Sequence, residues 1–456
     1  MKNYDIIIIG SGGGTKLVRP VAKKGYKVAI IEKEKLGGTC LNRGCIPSKM
    51  LIHAADVAMA IKEAHKYQLQ IGSPEVLFDE LVTRVCKKID EESESIRPVY
   101  EKDENITLYN GHVKFISNTT VEVNGETLSS DKIVIATGAD AAVPDLKGLS
   151  DVPYMTYRDA LRNTNKPKKL LVIGGGYIAT ELGYFYGALG VETHFFVRSM
   201  LLRKEDSEIR EEFDRAFSKQ FHVHKKITLK EVSHKDGIFT LSYEDENKSL
   251  QKMEADALLV AIGVAPNTKE LGLENTDVTL DERGYVKVDP KMQTDAKGIY
   301  AIGDCVGRFL FRHSVNFEGE YLERLLFQKQ DEPIKYRPMP HAVFTYPQVA
   351  GVGVTEDTLK EKNIPYVKGF CKYSDSAMGM ALLSEYGFAK LLFHKETKKL
   401  LGAHIIGDEA SVMIHMLIAF MNMDASLEDL LDMIYIHPAL PEVVRNAARD
   451  AQKQYS

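Results

Sequence analysis

The chain has 456 residues, 44% of them hydrophobic and 27% charged, with a formal net charge of -5. That balance is the one ordinary soluble globular proteins show, and it excludes a disordered chain, a fibrous repeat and a multi-span membrane protein. A pI of about 6.3 leaves no basic field to attract nucleic acid or anionic lipid.

At ~150 residues per domain the length has room for three domains, each able to bury its own core. Five cysteines are far too few for a disulfide-stapled secreted scaffold. The N-terminal residues run straight into an apolar stretch and then glycines, with no signal-peptide pattern. A reducing cytoplasm is therefore the expected compartment, where a disulfide would be catalytic rather than structural. Val412 to Met423 is interrupted by His415 and too short to span a bilayer, so it is expected as a buried core helix.

In chain order, Tyr4 to Gly10 reads as a buried parallel strand, a continuous isoleucine run ended by glycines. A helix should follow, then a second strand from Lys27 to Ile31 ending at Glu32. The same grammar returns at Lys168 to Ile173, followed by Gly174, Gly175 and Gly176, a helix from Tyr177 to Leu189 and a strand from Glu192 to Val197. Downstream of each unit lies a strand ending in a small-residue turn, Ile133 to Gly138 (with Thr137) and Leu258 to Gly263. Two dinucleotide-binding units in one chain is the economical reading. Asn163 to Lys169 is a polar, lysine-rich lead into the second. From about Asp331 the glycine-strand pattern stops, and short strands such as Phe388 to Phe393 alternate with amphipathic helices such as Ser411 to Met421, as in an α+β domain.

A glycine turn between strand and helix lets a pyrophosphate approach backbone N–H groups and the positive end of the helix dipole. Gly10, Gly12 and Glu32 fit that pattern, with Gly13 beside them. The third position is Thr15, preceded by Gly14, which places the loop's close packing in question. A lone glycine motif could be an ordinary tight turn; the strand-turn-helix-strand-acid context favours a nucleotide. In the second loop Gly174, Gly176 and Ala179 occupy the three positions. Its second strand ends at Val197 rather than an acid, and Arg198, Arg203 and Lys204 follow. Arginines there favour a 2′-phosphate, so NADPH is expected over NADH; the alternative is a solvated basic loop.

The most specific stretch is Gly37 to Lys49, GGTCLNRGCIPSK, with Cys40 and Cys45 five apart. On an ideal helix their Cα atoms would stand ~8–9 Å apart, beyond disulfide reach, so a bridge needs a distorted turn, to which Gly44 and Pro47 are suited. Such a bridge would be strained and easily reduced, as a redox pair requires. A zinc half-site is the rival, but no second cysteine pair exists and no metal is expected. Cys86, Cys305 and Cys371 are isolated and read as incidental or buried thiols.

With both nucleotide loops, this stretch resembles the class I pyridine nucleotide-disulfide oxidoreductases over essentially the whole chain. Thr294 to Asp304 is similar to that family's second FAD motif, Phe344 to Pro347 opens what resembles its dimerisation domain, and His437 to Glu442 matches its acid-base motif. The resemblance implies an α/β fold of two Rossmann-like domains, for FAD and NAD(P), plus a C-terminal α+β dimerisation domain. Its expected bounds are 1–150 for the first part of the FAD-binding domain, 151–266 for the NAD(P)-binding domain, 267–335 for the second FAD part and 336–456 for dimerisation. It assigns Gly38, Thr39, Lys49, Thr137, Gly138, Gly303 and Asp304 to the flavin side, and Tyr177, Ile178 and Gly263 to the nicotinamide side. Tyr177 would gate the nicotinamide pocket, and Lys49 and Glu181 would pair beside the flavin. One departure is that Val264 to Asn267, after Gly263, lacks the usual arginine.

By the same resemblance, electrons would pass from NADPH through non-covalent FAD to a Cys40–Cys45 disulfide. Cys45 would hold the charge-transfer thiolate and Cys40 would attack the substrate. His437, oriented by Glu442, would move the proton, acting from the other subunit of a homodimer. The expected substrate is a small disulfide of the mycothione or glutathione kind. NAD-linked dihydrolipoamide oxidation within a multienzyme complex is one alternative, and a flavoprotein sensor with little turnover is another.

Overall fold

A computed structural model describes residues 1–72, 74–328 and 330–455. Ile6–Ile9 forms the centre of the first sheet, and all four side chains are buried because both faces of the strand are covered. Ile6 and Ile8 pack on one side, with Leu17, Val18 and Val21 of the helix Thr15–Ala22. Ile7 and Ile9 pack on the other, with Phe115 and Val121. The sheet has five parallel strands in the order Ile299–Ala301, Ile133–Ile135, Ile6–Ile9, Val28–Glu32 and Ile106–Asn110. Its outermost strand at Ile299 comes from a late part of the chain, which leaves this sheet and returns to it.

The excursion builds a second parallel sheet, ordered His222–Lys225, Glu192–Val197, Lys169–Ile173 and Ala257–Val260. Two short strands, Ala139–Ala141 outbound and Val264–Pro266 inbound, pair antiparallel as a hinge-like ribbon between the two sheets. A three-stranded antiparallel sheet, Thr228–Lys235, Ile238–Glu244 and Leu250–Ala255, covers one face of the second unit through Val232, Leu241 and Ala255. That sheet and the long helix Phe78–Glu94 were not read from the sequence.

The C-terminal part is a five-stranded sheet, ordered His341–Val343, Gln348–Gly353, Leu400–Gly407, Phe388–His394 and Tyr366–Lys372, antiparallel throughout. The helices Ala410–Asn422 and Glu442–Gln452 lie on it. Met413, Ile414, Leu417 and Met421 face inward, so the apolar 412–423 stretch is a core helix. A methyl group on Gly369 would stand 2.1 Å from the Ala447 carbonyl, so glycine is what lets the second helix sit this close to the strand.

One stretch among the described residues, 38–67, is long and apolar enough to cross a bilayer by length and composition alone. It is interrupted at Gly44, and its Leu51, Ile52, Ala55 and Met59 are buried in the core beside the helix Tyr177–Ala188. That is the pattern of a core helix. The second sheet is anchored to the C-terminal domain by Lys390, which is fully buried and paired with Asp206, Glu208 and Glu356.

Candidate active site

The first glycine loop is shaped for close backbone approach. Gly10 has φ +105°, and a methyl group on it would stand 2.3 Å from the Ala136 carbonyl. On Gly12 the same methyl would meet only Gly38 Cα at 3.7 Å and the Arg312 guanidinium at 4.0 Å. The middle glycine thus faces open space beside a cation, at the N-terminal end of the helix Thr15–Ala22. Thr15 does not disturb the loop. The tight contacts fall on Gly13, against Val315, and Gly14, against the Gly10 carbonyl at 2.4 Å, while the Thr15 hydroxyl donates to the Gly12 carbonyl at 2.8 Å.

Glu32 ends its strand beside this loop and also braces it, accepting the Ser11 N–H at 2.9 Å, the Ser11 hydroxyl at 2.7 Å and the Glu34 N–H at 2.9 Å. Across the sheet, Thr137 and Gly138 follow the strand Ile133–Ile135. Asn267, the last residue of the arginine-less segment, donates from its side chain to the Thr137 carbonyl at 3.1 Å and from its backbone to the Gly138 carbonyl at 3.0 Å. Gly303 donates at 2.7 Å to Glu318, a buried carboxylate that sequence reasoning missed. Asp304 has no hydrogen bond or ion pair among the described residues; burial and then the neighbouring Glu318 push its carboxyl up to about 6. An open pyrophosphate cradle, an acid at the strand end and an unpartnered carboxylate are what a flavin dinucleotide requires. The residues fit FAD.

In the second unit Gly174 has φ +138°, with its would-be methyl 2.2 Å from the Ala261 carbonyl, while Gly176 faces open space. Gly263, at φ +131°, likewise has nothing within 4 Å. Tyr177 and Ile178 open the helix that starts here. Arg198 and Arg203 are exposed and their side chains make no ion pair among the described residues.

The cysteines occupy two helices, Gly38–Arg43 and Cys45–Glu63, broken at Gly44 with φ -141° and ψ -120°. The break is Gly44's work alone; Pro47 sits quietly in the first turn of the second helix. A side chain on Gly44 would run into the Thr39 carbonyl at 2.8 Å, so Thr39 and Gly44 press the two turns together. Both cysteines are free thiols, Cys45 the more exposed. The neighbouring Cys45, then the Arg312 and Lys49 cations, bring the Cys40 thiol down to about 7 against the opposing effect of burial, while Cys40 and burial push Cys45 up. Cys305 and Cys371 are buried thiols that burial raises to about 12 and about 11, which makes them inert.

Lys49 lies one turn beyond Cys45 and is 2.6 Å from Glu181, whose other oxygen accepts the Phe344 N–H at 3.0 Å. The ammonium also sits 4.5 Å from the Phe344 ring centre. Tyr177 stands between Phe311 and His341, with ring centres 6.2 and 6.4 Å away. Its hydroxyl donates to buried Glu205, which also pairs with His341 at 2.7 Å. Burial alone would raise Glu205, but His341 and Tyr177 hold it below the usual carboxylate range. Glu205, His341 and Phe311 come from three distant parts of the chain, and no local motif marks them.

His437 is largely exposed, and its Nδ1 is 3.0 Å from Glu442. Glu442 is buried, accepts the Ala439 N–H at 3.2 Å and pairs with Arg445 at 2.6 Å. The hydrogen bond from His437 lowers its pKa. Nε2 is left pointing away from the Glu442 carboxylate, as a base awaiting a partner would present it. Within the chain His437 has no hydrogen bond to either cysteine. The segment before it exposes Ile434 and Ile436 almost completely, at 96% and 81%.

Two dinucleotide cradles, a dithiol at a helix break and a carboxylate-braced histidine define a flavoprotein of the dithiol-disulfide class. Residues 4–321 match the family model for pyridine nucleotide-disulphide oxidoreductases, and 339–448 match the model for that family's dimerisation domain. The chain belongs to this family, and is an FAD-containing NAD(P)H:disulfide oxidoreductase. It is 34% identical to the mycothione reductase of Mycobacterium tuberculosis, over 98% of this chain and 99% of that one. It is 33% identical to dihydrolipoyl dehydrogenase 2, mitochondrial, of Arabidopsis thaliana (97% and 89%) and 31% identical to the mercuric reductase of Staphylococcus aureus (100% and 83%).

Proposed function

We propose that the enzyme uses NADPH to reduce a small disulfide of the mycothione or glutathione kind. The observation that carries this reading is the exposed, unpaired Arg198 and Arg203 after a strand that ends in Val197, with no acid to repel a 2′-phosphate. Bound FAD supplies the relay that takes a hydride from the nicotinamide and delivers two electrons to the Cys40–Cys45 disulfide.

Cys45 begins the 19-residue helix Cys45–Glu63, where the dipole and the Lys49 cation favour an anion on its sulfur, while Cys40 carries the proton that the histidine takes. The Cys40 thiolate attacks one sulfur of the substrate disulfide and a mixed disulfide forms. The first thiol leaves with a proton from the partner subunit's His437, held in place by Glu442. Cys45 then attacks Cys40 Sγ, the second half of the substrate departs as a thiolate that takes a proton from solvent, and the Cys40–Cys45 bond is restored. The proton removed from Cys40 and the one given to the leaving sulfur are both carried by the histidine.

The test is turnover of NADPH and NADH with mycothione disulfide, glutathione disulfide, bacillithiol disulfide and lipoamide. NADPH with one of the first three is expected to dominate. Preference for NAD+ with dihydrolipoamide would replace this reading with that of a dihydrolipoyl dehydrogenase, and a yellow, dimeric enzyme inert to the whole panel would favour a sensor.

A further inference from the structure

The second sheet carries a cluster of histidines on two neighbouring strands. Glu192 and His194 project from one face of the strand Glu192–Val197, and the edge strand His222–Lys225 runs parallel to it, with His222 opposite His194 in the register. One ligand atom from each of Glu192, His194 and His222 can be chosen so that all three lie within 4.8 Å of one another. His194 is buried and held at both ring nitrogens: Nε2 is 2.8 Å from Glu192 Oε1, and Nδ1 is 3.1 Å from His224 Nε2. The His222 ring stacks on it, with centres 4.4 Å apart and planes 17° from parallel. Glu192 and His222 are exposed and can turn inward.

We propose that Glu192, His194 and His222 bind a divalent transition-metal ion of the zinc class, with His224 as the outer partner that fixes the His194 ring. Two imidazoles and a carboxylate suit such an ion and do not suit calcium or magnesium, which take oxygen ligands. The arrangement also supplies what a ligating histidine needs on its far side: with a metal on Nε2, the His194 Nδ1–H can donate to His224 Nε2, 3.1 Å away. The competitor is Lys169, 2.8 Å from the same Glu192 oxygen, in a partly exposed pair of the kind a metal displaces at little cost.

Lys169 and Glu192 stand at the starting ends of their strands, whereas the nucleotide loop Gly174–Gly176 follows the finishing ends. The ion would therefore take no part in hydride transfer. It would clip the edge strand His222–Lys225, which among the described residues pairs on one side only, to the body of the sheet.

The test uses tag-free holoenzyme with Cys40 and Cys45 oxidised, so that the dithiol cannot take the metal. Calorimetric titration with Zn2+ is expected to show one ion per chain and a thermal midpoint that rises with Zn2+. His222→Ala should weaken binding at least ~10-fold and cancel the thermal response, with flavin content and turnover unchanged. Glu192→Gln is the second variant should His222→Ala not fold, with the same expected loss. Absence of Zn2+ binding, or binding of undiminished affinity in the folded variants, overturns the proposal.

Discussion

Replacing Lys390 with methionine removes a fully buried ammonium and leaves its carboxylate partners in place. Lys390 Nζ lies 2.8 Å from Asp206 and 2.5 Å from each of Glu208 and Glu356. Asp206 is itself fully buried, caps the helix Ser207–Phe217 by accepting the Glu208 N–H at 3.1 Å, and accepts the Glu356 N–H at 3.0 Å. Glu208 is partly exposed and can regain water, but Asp206 and Glu356 cannot without opening the packing between the nucleotide-binding unit and the C-terminal sheet. Removing one partner of a buried ion pair costs about 3–5 kcal/mol, and that is the loss expected for Lys390→Met.

Adding Asp206→Asn to Lys390→Met should recover part of the loss, because one of the stranded charges goes with it. The assay is urea unfolding followed by circular dichroism. The pH dependence has a fixed sign. Burial would raise both carboxyls, but His404 and then Lys390 hold Asp206 below the ordinary range in the folded chain, and Lys390, Tyr366 and Lys360 hold Glu356 below it. Their contribution is therefore complete above the unfolded carboxylate pKa of about 4 and is lost as pH falls toward the folded values. The gap between wild type and variant should be full at neutral pH and narrow in acid. A loss under about 1 kcal/mol, or a gap that does not shrink in acid, would show that the cluster is hydrated and the reasoning wrong.

Exchanging Arg198 and Arg203 together for methionine should raise the KM for NADPH at least about tenfold with little change in kcat, since losing even one charged contact to the phosphate costs ~1.5 kcal/mol; an unchanged ratio of kcat/KM for NADPH over NADH would reduce the loop to a solvated face. Tyr177→Phe strands one oxygen of buried Glu205 and should cost ~1–3 kcal/mol in unfolding experiments while flavin content stays the same. Co-refolded Cys40→Ser and His437→Ala chains should recover about a quarter of wild-type activity, because half the dimers are mixed and each has one intact site of two. A histidine acting within its own chain would give none.

Much of this architecture is legible because parallel strands buried on both faces read as unbroken apolar runs. Ile6–Ile9, Val28–Glu32 and Lys169–Ile173 therefore stand out, and the glycines after the first and the last mark the turns. The dithiol is legible because its spacing is local. What stayed hidden is long-range. Glu205, His341 and Glu318 act across the sheets, and His194 meets His222 only through strand pairing. The consequence of Thr15 was also illegible, since it depends on which glycine carries the close contact, and in the folded chain Gly13 and Gly14 do.

The most direct test of the central claim, that Cys40 and Cys45 are the redox centre with Cys45 on the flavin side, is the absorption spectrum of the anaerobically reduced enzyme and its two serine variants. Two-electron reduction of the wild type should bring up a long-wavelength charge-transfer band, as a Cys45 thiolate against the flavin requires. Cys40→Ser should retain such a band and lose disulfide turnover, and Cys45→Ser should lose both. A band that survives in Cys45→Ser and vanishes in Cys40→Ser would reverse the two roles, and full turnover in either variant would contradict the account.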